Sequence, residues 1–372
     1  MANELRIGTL LESEDAAPSH VLAAKLNRHT FWCGQSGSGK TYALGVLLEQ
    51  VLLNTRLPLV ILDPNSDFVR LGEVRDDAVA ADGAELASRD IRVFRSSAGE
   101  EGSLRVTFLD MPVRSRAAIL QIDPLYDAED YNAMLQLEAE LVARRTEDVN
   151  ADSLAQGQLV AYLRSSEDAA RRRLAMRLEN LGVAAWHLWA WGHRSVIDDI
   201  DEQPDATVVD LGGFATPAES RAAALAVLDH LWEHREERVG RLIVIDEAHN
   251  LCRPDPSTPV EKLLTERIVQ IAAEGRKYGL WLLLSTQRPS KVHPNALSQC
   301  DNLALMRMSS PRDLAELGEV FGYAPQSLVE RSPSFAQGQA LFAGGFVEQA
   351  SLVQMGARLT HEGGSDVKVP LR

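Results

Sequence analysis

The chain has 372 residues, 45% hydrophobic and 24% charged, which is the composition of a globular protein with room for one large or two modest domains. Its formal net charge of −15 argues against a uniformly basic surface that coats nucleic acid, but leaves room for a local basic channel. No apolar run approaches the roughly 20 residues of a membrane span, and the N-terminus does not resemble a signal peptide. Three widely separated cysteines indicate a reducing compartment and no metal site, so we expect a cytoplasmic protein without a membrane partner.

The first element with a clear chemical meaning is a glycine-rich loop between a short apolar run and a helix-like segment. Because such glycines let backbone N–H groups wrap a phosphate at a helix N-terminus, the loop predicts nucleoside triphosphate binding. Lys40 is expected to reach the β- and γ-phosphates, and Thr41 to hold Mg²⁺. The loop matches G-x-x-x-x-G-K-[ST], and its residues are Gly34, Gln35, Ser36, Gly37, Ser38, Gly39, Lys40 and Thr41.

Apolar runs recur along the chain, and polar residues stand at the C-terminal ends of most of them. Continuous apolar runs separated by helical segments are typical of buried parallel strands. We therefore predict an α/β fold with a mostly parallel sheet flanked by helices, and ligands at the carboxyl edge of that sheet. The runs are 30–33, 59–62, 207–211, 242–245, 281–284 and 303–306.

The segment from about residue 111 to residue 205 contains no convincing strand. Apolar residues such as Leu174, Leu178 and Leu181 recur in it at helical spacing, which indicates a helical insertion in the α/β core. The chain then divides into a short N-terminal segment, a first core part, the insertion, a second core part and a C-terminal arm. These parts are residues 1–28, 29–110, 111–205, 206–358 and 359–372.

The run 242–245 is followed by two carboxylates, Asp246 and Glu247, in the arrangement of a Walker B strand. Asp246 is expected to bind Mg²⁺, and Glu247 to polarise the attacking water, which is a poor nucleophile at neutral pH. Two acidic residues after a core strand are common by themselves, but together with the glycine-rich loop they predict an NTPase.

The next predicted strand leads to Gln287, whose amide could contact both the γ-phosphate and the water, although a plain polar strand cap is the alternative. The helix before that strand ends in two adjacent cations, Arg276 and Lys277. These cations either complement the helix dipole or point across a subunit boundary at a neighbour's γ-phosphate, and the spacing by itself does not decide between the two.

Four motifs together resemble the HerA/FtsK superfamily of P-loop ATPases, and HerA-like DNA translocases in particular. They are GQSGSGKT, VIDEAHNLC, EGRKYG and STQRPS, in this order and spacing. The resemblance extends from about His29 to Arg358, and it includes Asp63-Pro64, the segment 122–126 and the helical insertion.

The resemblance implies a RecA-like core and a homohexameric ring that binds ATP and Mg²⁺ between subunits and holds double-stranded DNA in its pore. It also implies roles for individual residues. These are Lys40 and Thr41 for nucleotide and Mg²⁺, Asp246 and Glu247 for metal and water, Gln287 as the sensor, Arg276 as the trans-acting arginine finger, and Arg288 and Arg358 as further candidates for nucleotide or interface contacts.

One feature departs from the family. HerA proteins of the DNA-end-resection type carry an N-terminal β-barrel domain that helps to seat the ring on a nuclease, whereas residues 1–28 hold too few strands for a barrel. Compact HerA-like ATPases occur beside effector proteins in bacterial anti-phage systems. The sequence carries no second catalytic constellation, so a nuclease or NADase effector, where one is needed, is expected to be a separate protein.

Two functions are compatible with these observations. The first is a helicase-like motor that translocates double-stranded DNA in DNA processing or antiviral defence. The second is a nucleotide-gated hexameric scaffold that activates an effector without processive translocation. A membrane-anchored secretion or conjugation pump is disfavoured, because the sequence has no apolar run long enough for a membrane span.

Overall fold

The computed structural model describes residues 4–13, 15–96, 102–147 and 158–364 of the chain. Residues 148–157 of the predicted insertion and 365–372 of the predicted C-terminal arm lie outside these ranges. Among the described residues, no helix combines the length and the apolar character that crossing a bilayer requires.

The described residues form one sheet of eleven strands in the order β2-β1-β11-β10-β9-β3-β8-β7-β4-β6-β5. The seven strands from β9 to β5 are parallel, and β10, β11, β1 and β2 extend the sheet by antiparallel pairs. The strands are β1 Glu4–Leu10, β2 Pro18–Leu22, β3 His29–Cys33, β4 Leu59–Asp63, β5 Ile91–Arg95, β6 Ala206–Asp210, β7 Arg241–Ile245, β8 Leu280–Thr286, β9 Cys300–Met306, β10 Gln339–Gly344 and β11 Ser351–Met355.

Helices cover both faces of the sheet, as the continuous apolar runs require. Within the described ranges they are α1 Lys40–Asn54, α2 Ala80–Ala87, α3 Val113–Ile119, α4 Ala128–Glu147, α5 Gln158–Arg164, α6 Ala169–Asn180, α7 Val196–Asp201, α8 Pro217–Glu233, α9 Pro259–Glu274, α10 Pro294–Leu297, α11 Pro311–Val320 and α12 Gln326–Val329.

Strand β4 illustrates how the sheet builds two cores. All of its residues are buried. Val60 and Leu62 belong to a cluster with α8 and α9, whereas Leu59 and Ile61 belong to a cluster with α1. Since successive side chains of a strand point to opposite faces, one apolar run fills both cores. The α/β fold with a mostly parallel, helix-flanked sheet is confirmed.

Three parts of the sheet differ from the sequence-based expectation. Strands β10 and β11 were not among the predicted runs. Residues 1–28 were expected to stand outside the core, but β1 and β2 belong to the sheet, and β1 pairs with β11. Strand β5 was not predicted, because Arg92 and Arg95 interrupt its apolar run. Both arginines bind carboxylates at the sheet edge: Arg92 lies 2.7 Å from Asp199, and Arg95 lies 3.1 Å from Asp210.

The segment between β5 and β6 contains the five helices α3 to α7 and, within 102–147 and 158–205, no strand of the sheet. Its apolar side chains join the core cluster of α8 and α9. Trp186 and Trp189 are buried and stack with ring centroids 5.7 Å apart, so these rings serve packing. The insertion is therefore attached to the face of the sheet opposite α1.

Candidate active site

The carboxyl ends of four neighbouring strands, β3, β8, β7 and β4, meet at one edge of the sheet. A cleft of about 850 Å³ opens there. Parallel strands bring their following residues together at this edge, which is where ligands bind in open α/β sheets. Its lining includes Gln35, Gly37, Lys40, Thr41, Asn65, Asp67, Glu247 and Gln287.

The glycine-rich loop leaves β3 and starts α1 at Lys40. Gly37 and Gly39 have φ angles of 74° and 87°, in the left-handed region that glycine adopts at little cost. Gly39 is the N-cap of α1, so the loop residues stand at the positive end of a helix of 15 residues. This is the arrangement that binds phosphate.

Lys40 is the centre of the polar contacts in the cleft. Its Nζ lies 2.8 Å from Asp246 Oδ1, 3.0 Å from Ser285 Oγ and 3.3 Å from Glu247 Oε1. Burial acts to lower the pKa of Lys40, but the two neighbouring carboxylates outweigh it and raise the pKa. The lysine is therefore charged and faces the Walker B carboxylates.

Asp246 follows the last residue of β7 and is completely buried. Its Oδ1 receives hydrogen bonds from Lys40 and from Ser285 Oγ, the latter at 2.6 Å, while Oδ2 has no hydrogen-bond partner. An unpaired carboxylate oxygen in the interior is costly unless a ligand satisfies it. Asp246 is thus prepared for a cation.

Glu247 holds its carboxylate between two donors. Oε1 faces Lys40, and Oε2 lies 3.1 Å from Nδ1 of His249. Burial acts to raise the pKa of Glu247, but the hydrogen bond from His249 and the charge of Lys40 outweigh it and lower the pKa. Glu247 is therefore ionised at neutral pH, which is the state a proton acceptor requires. Its φ of 44° is unusual for a residue other than glycine and turns the side chain toward the cleft edge.

Gln287 lies where the sequence predicts it, at the end of β8 on the cleft wall. Its backbone nitrogen is 3.4 Å from Glu247 Oε2. His249 Nδ1 also lies 3.0 Å from Thr286 Oγ1, so His249 connects the residues that follow β7 to the end of β8. His249 and Ser285 were not predicted from the sequence; what marks them there is their position beside predicted site residues.

Mg²⁺ prefers oxygen ligands, and the residues beneath the glycine-rich loop supply them. Carboxylate oxygens of Asp63, Asp67 and Asp246 lie within 4.8 Å of one another. Thr41 Oγ1 donates to Asp67 Oδ2 at 3.3 Å. Together with the unpaired Oδ2 of Asp246, this donor set fits the Mg²⁺ predicted at Thr41 and Asp246. The structure adds Asp67 to the predicted site residues. Its position four residues after Asp63 was the signal in the sequence.

Arg276 lies at the opposite edge of the sheet. It precedes β8, and its Nη1 donates to Asp301 Oδ2 at 2.5 Å. Since β8 spans seven residues at about 3.3 Å each, Arg276 is roughly 20 Å from the end that carries Gln287. The half-exposed guanidinium therefore cannot reach the cleft of its own chain.

Arg358 does not contact the cleft, which corrects its assignment to nucleotide binding. Its side chain has no exposed surface, and its Nε is 3.6 Å from Glu49 Oε1 on α1. A side chain enclosed between α1 and the segment after β11 cannot reach a bound ligand. Arg288 is exposed just beyond Gln287, and its backbone N–H donates to Thr286 Oγ1 at 3.0 Å.

Comparison with known proteins places this site in a family. The protein-family model described as "Helicase HerA, central domain" matches residues 5–231, which is more than half of the chain. The chain belongs to this family. The predicted resemblance to HerA/FtsK-type P-loop ATPases is confirmed, and the chain is an ATPase of that type.

Relatives of this HerA-family ATPase include two named DNA double-strand break repair helicase HerA. The protein from Pyrococcus furiosus is 22% identical over 391 residues, a match that covers 94% of this chain and 69% of the relative. The protein from Sulfurisphaera tokodaii is 32% identical over 114 residues, which cover 31% of this chain and only 22% of the relative. The chain therefore matches only part of these longer proteins.

Two solved structures share the fold of this chain. VirB4 of Thermoanaerobacter pseudethanolicus aligns with a TM-score of 0.65 at 15% identity, covering 95% of this chain and 97% of VirB4. The bacterial conjugative coupling protein TrwBΔN70 aligns with a TM-score of 0.58 at 14% identity, covering 97% of this chain and 90% of TrwB. At these identities the likeness concerns the fold of the HerA-family ATPase.

Proposed function

We propose that this HerA-family ATPase forms a homohexameric ring that hydrolyses ATP between subunits and translocates double-stranded DNA through its pore. The observation that carries the proposal is the separation of the site into two halves. Lys40, Glu247 and Gln287 lie at one sheet edge, and Arg276 lies roughly 20 Å away at the other. A head-to-tail contact would bring the second half of one copy to the first half of the next.

The geometry of a single chain supports the following division of roles. The amide groups of the loop and Lys40 bind the phosphates of ATP. Glu247, ionised and held by His249, accepts a proton from the attacking water, and Gln287 orients that water. Mg²⁺, held at Thr41 and Asp246, supplies charge neutralisation of the phosphate oxygens when it is bound.

The neighbouring copy supplies Arg276 as the arginine finger. A finger of this kind is worth about 10³–10⁵ in rate, because it stabilises charge that develops only in the transition state. In the isolated chain Arg276 is paired with Asp301, so the interface has to release it from that pair. Nucleotide state and subunit contact are then coupled.

DNA as the translocated partner is supported by the names of the two HerA relatives, both DNA double-strand break repair helicases. A separate nuclease or NADase effector, acting in DNA processing or antiviral defence, completes the proposal. The alternative is a nucleotide-gated hexameric scaffold that activates such an effector without processive translocation. The net charge of −15 favours protein partners on the outer surface and gives this alternative its support.

The two functions differ in their response to DNA. We expect the ATPase rate of the motor to rise with long duplex DNA, and the stimulation to fall steeply between low and moderate salt, because phosphate contacts release counterions. The measurement is steady-state ATP hydrolysis with and without duplex DNA at two salt concentrations, with Lys40→Ala as the inactive control. An unstimulated rate together with absent DNA binding would favour the scaffold.

A further inference from the structure

Asp67 lies in the cleft, but neither Walker motif includes it. It follows β4 by four residues and is positioned by a tight turn around Asp63. One oxygen of Asp63 accepts the N–H groups of Asn65 and Asp67 at 3.2 and 3.1 Å, and the other accepts that of Phe68 at 2.7 Å. The turn is thus held from inside, and it directs Asp67 toward Thr41.

The charges around Asp67 do not balance within the described residues that face it. Asp63, Asp67, Asp246 and Glu247 bring four carboxylates together, against the ammonium of Lys40 and the enclosed guanidinium of Arg358. Like charges this close repel one another, and a divalent cation would remove the repulsion.

A second observation points to a ligand at the same place. Asp246 is completely buried, and its Oδ2 has no hydrogen-bond partner, although Oδ1 has two. A carboxylate oxygen of Asp67 and one of Asp246 lie within 4.8 Å of each other. Ligand oxygens on an octahedral Mg²⁺, each about 2.1 Å from the ion, are about 3 to 4 Å apart, so one ion can contact both carboxylates after a small adjustment.

We propose that Asp67 is a metal ligand together with Asp246 and Thr41, and that this set binds a divalent cation before any nucleotide arrives. The proposal rests on the proposed function only in using the same ATPase site, and it does not depend on translocation. Cation binding at this set would affect Lys40, because Lys40 forms an ion pair with Asp246, one of the proposed ligands. A cation at Asp246 weakens the hold of Asp246 on Lys40 and leaves the lysine free for phosphate.

The direct test measures cation binding to the nucleotide-free full-length protein. Mn²⁺ serves as the probe, and the loss of the free-Mn²⁺ signal in electron paramagnetic resonance reports binding. We expect the wild-type protein to bind Mn²⁺, and Asp67→Asn to bind it about tenfold more weakly or worse, as the loss of a ligand requires. Asp76→Asn, which changes an exposed aspartate in the same segment, should bind like wild type.

A second variant tests the competition with Lys40. Lys40→Ala removes the ammonium from Asp246, so Mn²⁺ affinity should rise even though ATP hydrolysis is lost. Asp67→Glu keeps a carboxylate and should retain most of the binding, and Asp67→Ser replaces Asp67→Asn if that variant does not fold. Thermal unfolding without metal establishes that each variant is folded.

Equal Mn²⁺ affinity in wild type and Asp67→Asn, or no binding to wild type at millimolar Mn²⁺, would overturn the proposal. Because the measurement contains no ATP or DNA, its result is independent of the motor assignment. A protein that binds Mn²⁺ through Asp67 but is not stimulated by DNA would keep the metal site and lose the motor. The reverse result would keep the motor and lose the metal site.

Discussion

At the scale of single residues, the site depends on how one carboxylate is held. Glu247 has Lys40 on one oxygen and His249 on the other. When Lys40 turns to phosphate, His249 becomes the remaining side-chain donor that orients the base. The nitrogen facing Glu247 must carry the proton, because an ionised carboxylate can only accept.

His249→Ala should therefore lower kcat more than it changes KM for ATP. A general base that loses its orientation by about 1 Å costs about 100-fold in rate, while the phosphate contacts remain intact. His249→Gln keeps an N–H donor and should recover part of kcat. Steady-state ATPase kinetics of both variants provide the measurement, with exposed His193→Ala as the control. A fall in ATP affinity with unchanged kcat would contradict this role.

At the scale of elements, α1 is fastened to the chain after β11 by buried charge. Arg358 pairs with Glu49 on α1, and Glu49 also accepts the N–H groups of Leu359 and Thr360, each at 2.8 Å. Gly45 makes room for this arrangement, since a Cβ there would lie 2.6 Å from Arg358 Nε. The helix that carries Lys40 is thereby joined to the segment that follows β11.

Arg358→Met should lower the free energy of unfolding by about 3 kcal/mol, because it leaves Glu49 as an unpaired buried charge. ATP affinity of the folded variant should stay unchanged, since Arg358 does not contact the cleft. Chemical denaturation and nucleotide titration measure the two quantities. Arg56→Met, at an exposed position just beyond α1, is the matched control. A stable variant that no longer binds ATP would restore Arg358 to the nucleotide site.

A buried histidine at the start of β3 makes the stability of the fold sensitive to pH. The backbone N–H of Leu282 donates to Nδ1 of His29 at 2.9 Å, which requires that nitrogen to be unprotonated. Burial, and then the charge of Arg276, lower the pKa of His29 to about 4 from its ordinary 6.5. Between these values the unfolded chain binds more protons than the folded one.

Stability should accordingly be lost as pH falls from 6.5 to 4, with His29 contributing up to roughly 3 kcal/mol of that loss. His29→Gln should show a flatter dependence over this window, whatever its absolute stability. Chemical denaturation at a series of pH values measures the slope, and exposed His193→Ala should keep the wild-type slope. If the stability of His29→Gln depends on pH as steeply as that of the wild type, other groups control the pH dependence.

At the scale of the whole molecule, the two halves of the proposed site belong to different copies. Mixing two inactive variants tests this directly. Lys40→Ala retains the finger, and Arg276→Ala retains the phosphate-binding loop. An interface is intact when an Arg276→Ala subunit supplies Lys40 and a Lys40→Ala subunit supplies Arg276. In random equimolar rings about a quarter of interfaces should regain activity, as a head-to-tail ring requires.

The measurement is ATP hydrolysis after the variants are mixed and allowed to exchange subunits. Lys40→Ala mixed with the double variant Lys40→Ala/Arg276→Ala contains no intact interface and should stay inactive. If the mixture of single variants also stays inactive although the subunits exchange, the finger assignment is wrong.

The local chemistry of this protein is determined by its sequence. The loop from Gly34 to Thr41, the carboxylates after β7 and Gln287 at the end of β8 are contiguous signals, because each depends on residues adjacent in the chain. Buried parallel strands could be predicted for the same reason, since each is a continuous apolar run. Strands β1, β2, β5, β10 and β11 were not predicted from the sequence. Polar residues interrupt the apolar runs of β1, β2 and β5, and in the folded chain each of the five strands pairs with its neighbours in the sheet.

Contacts between distant residues were decided by the tertiary structure. Asp67 reaches Thr41 and His249 reaches Thr286 because four parallel strands end at one sheet edge, and no local pattern encodes that convergence. Arg358 and Arg276 were both candidate site residues in the sequence-based prediction. Folding buries Arg358 against Glu49 and carries Arg276 to the opposite edge, because the direction of β8 separates its two ends. Residue type and spacing predict which chemistry is available, and the packing of the sheet determines which residues can take part in it.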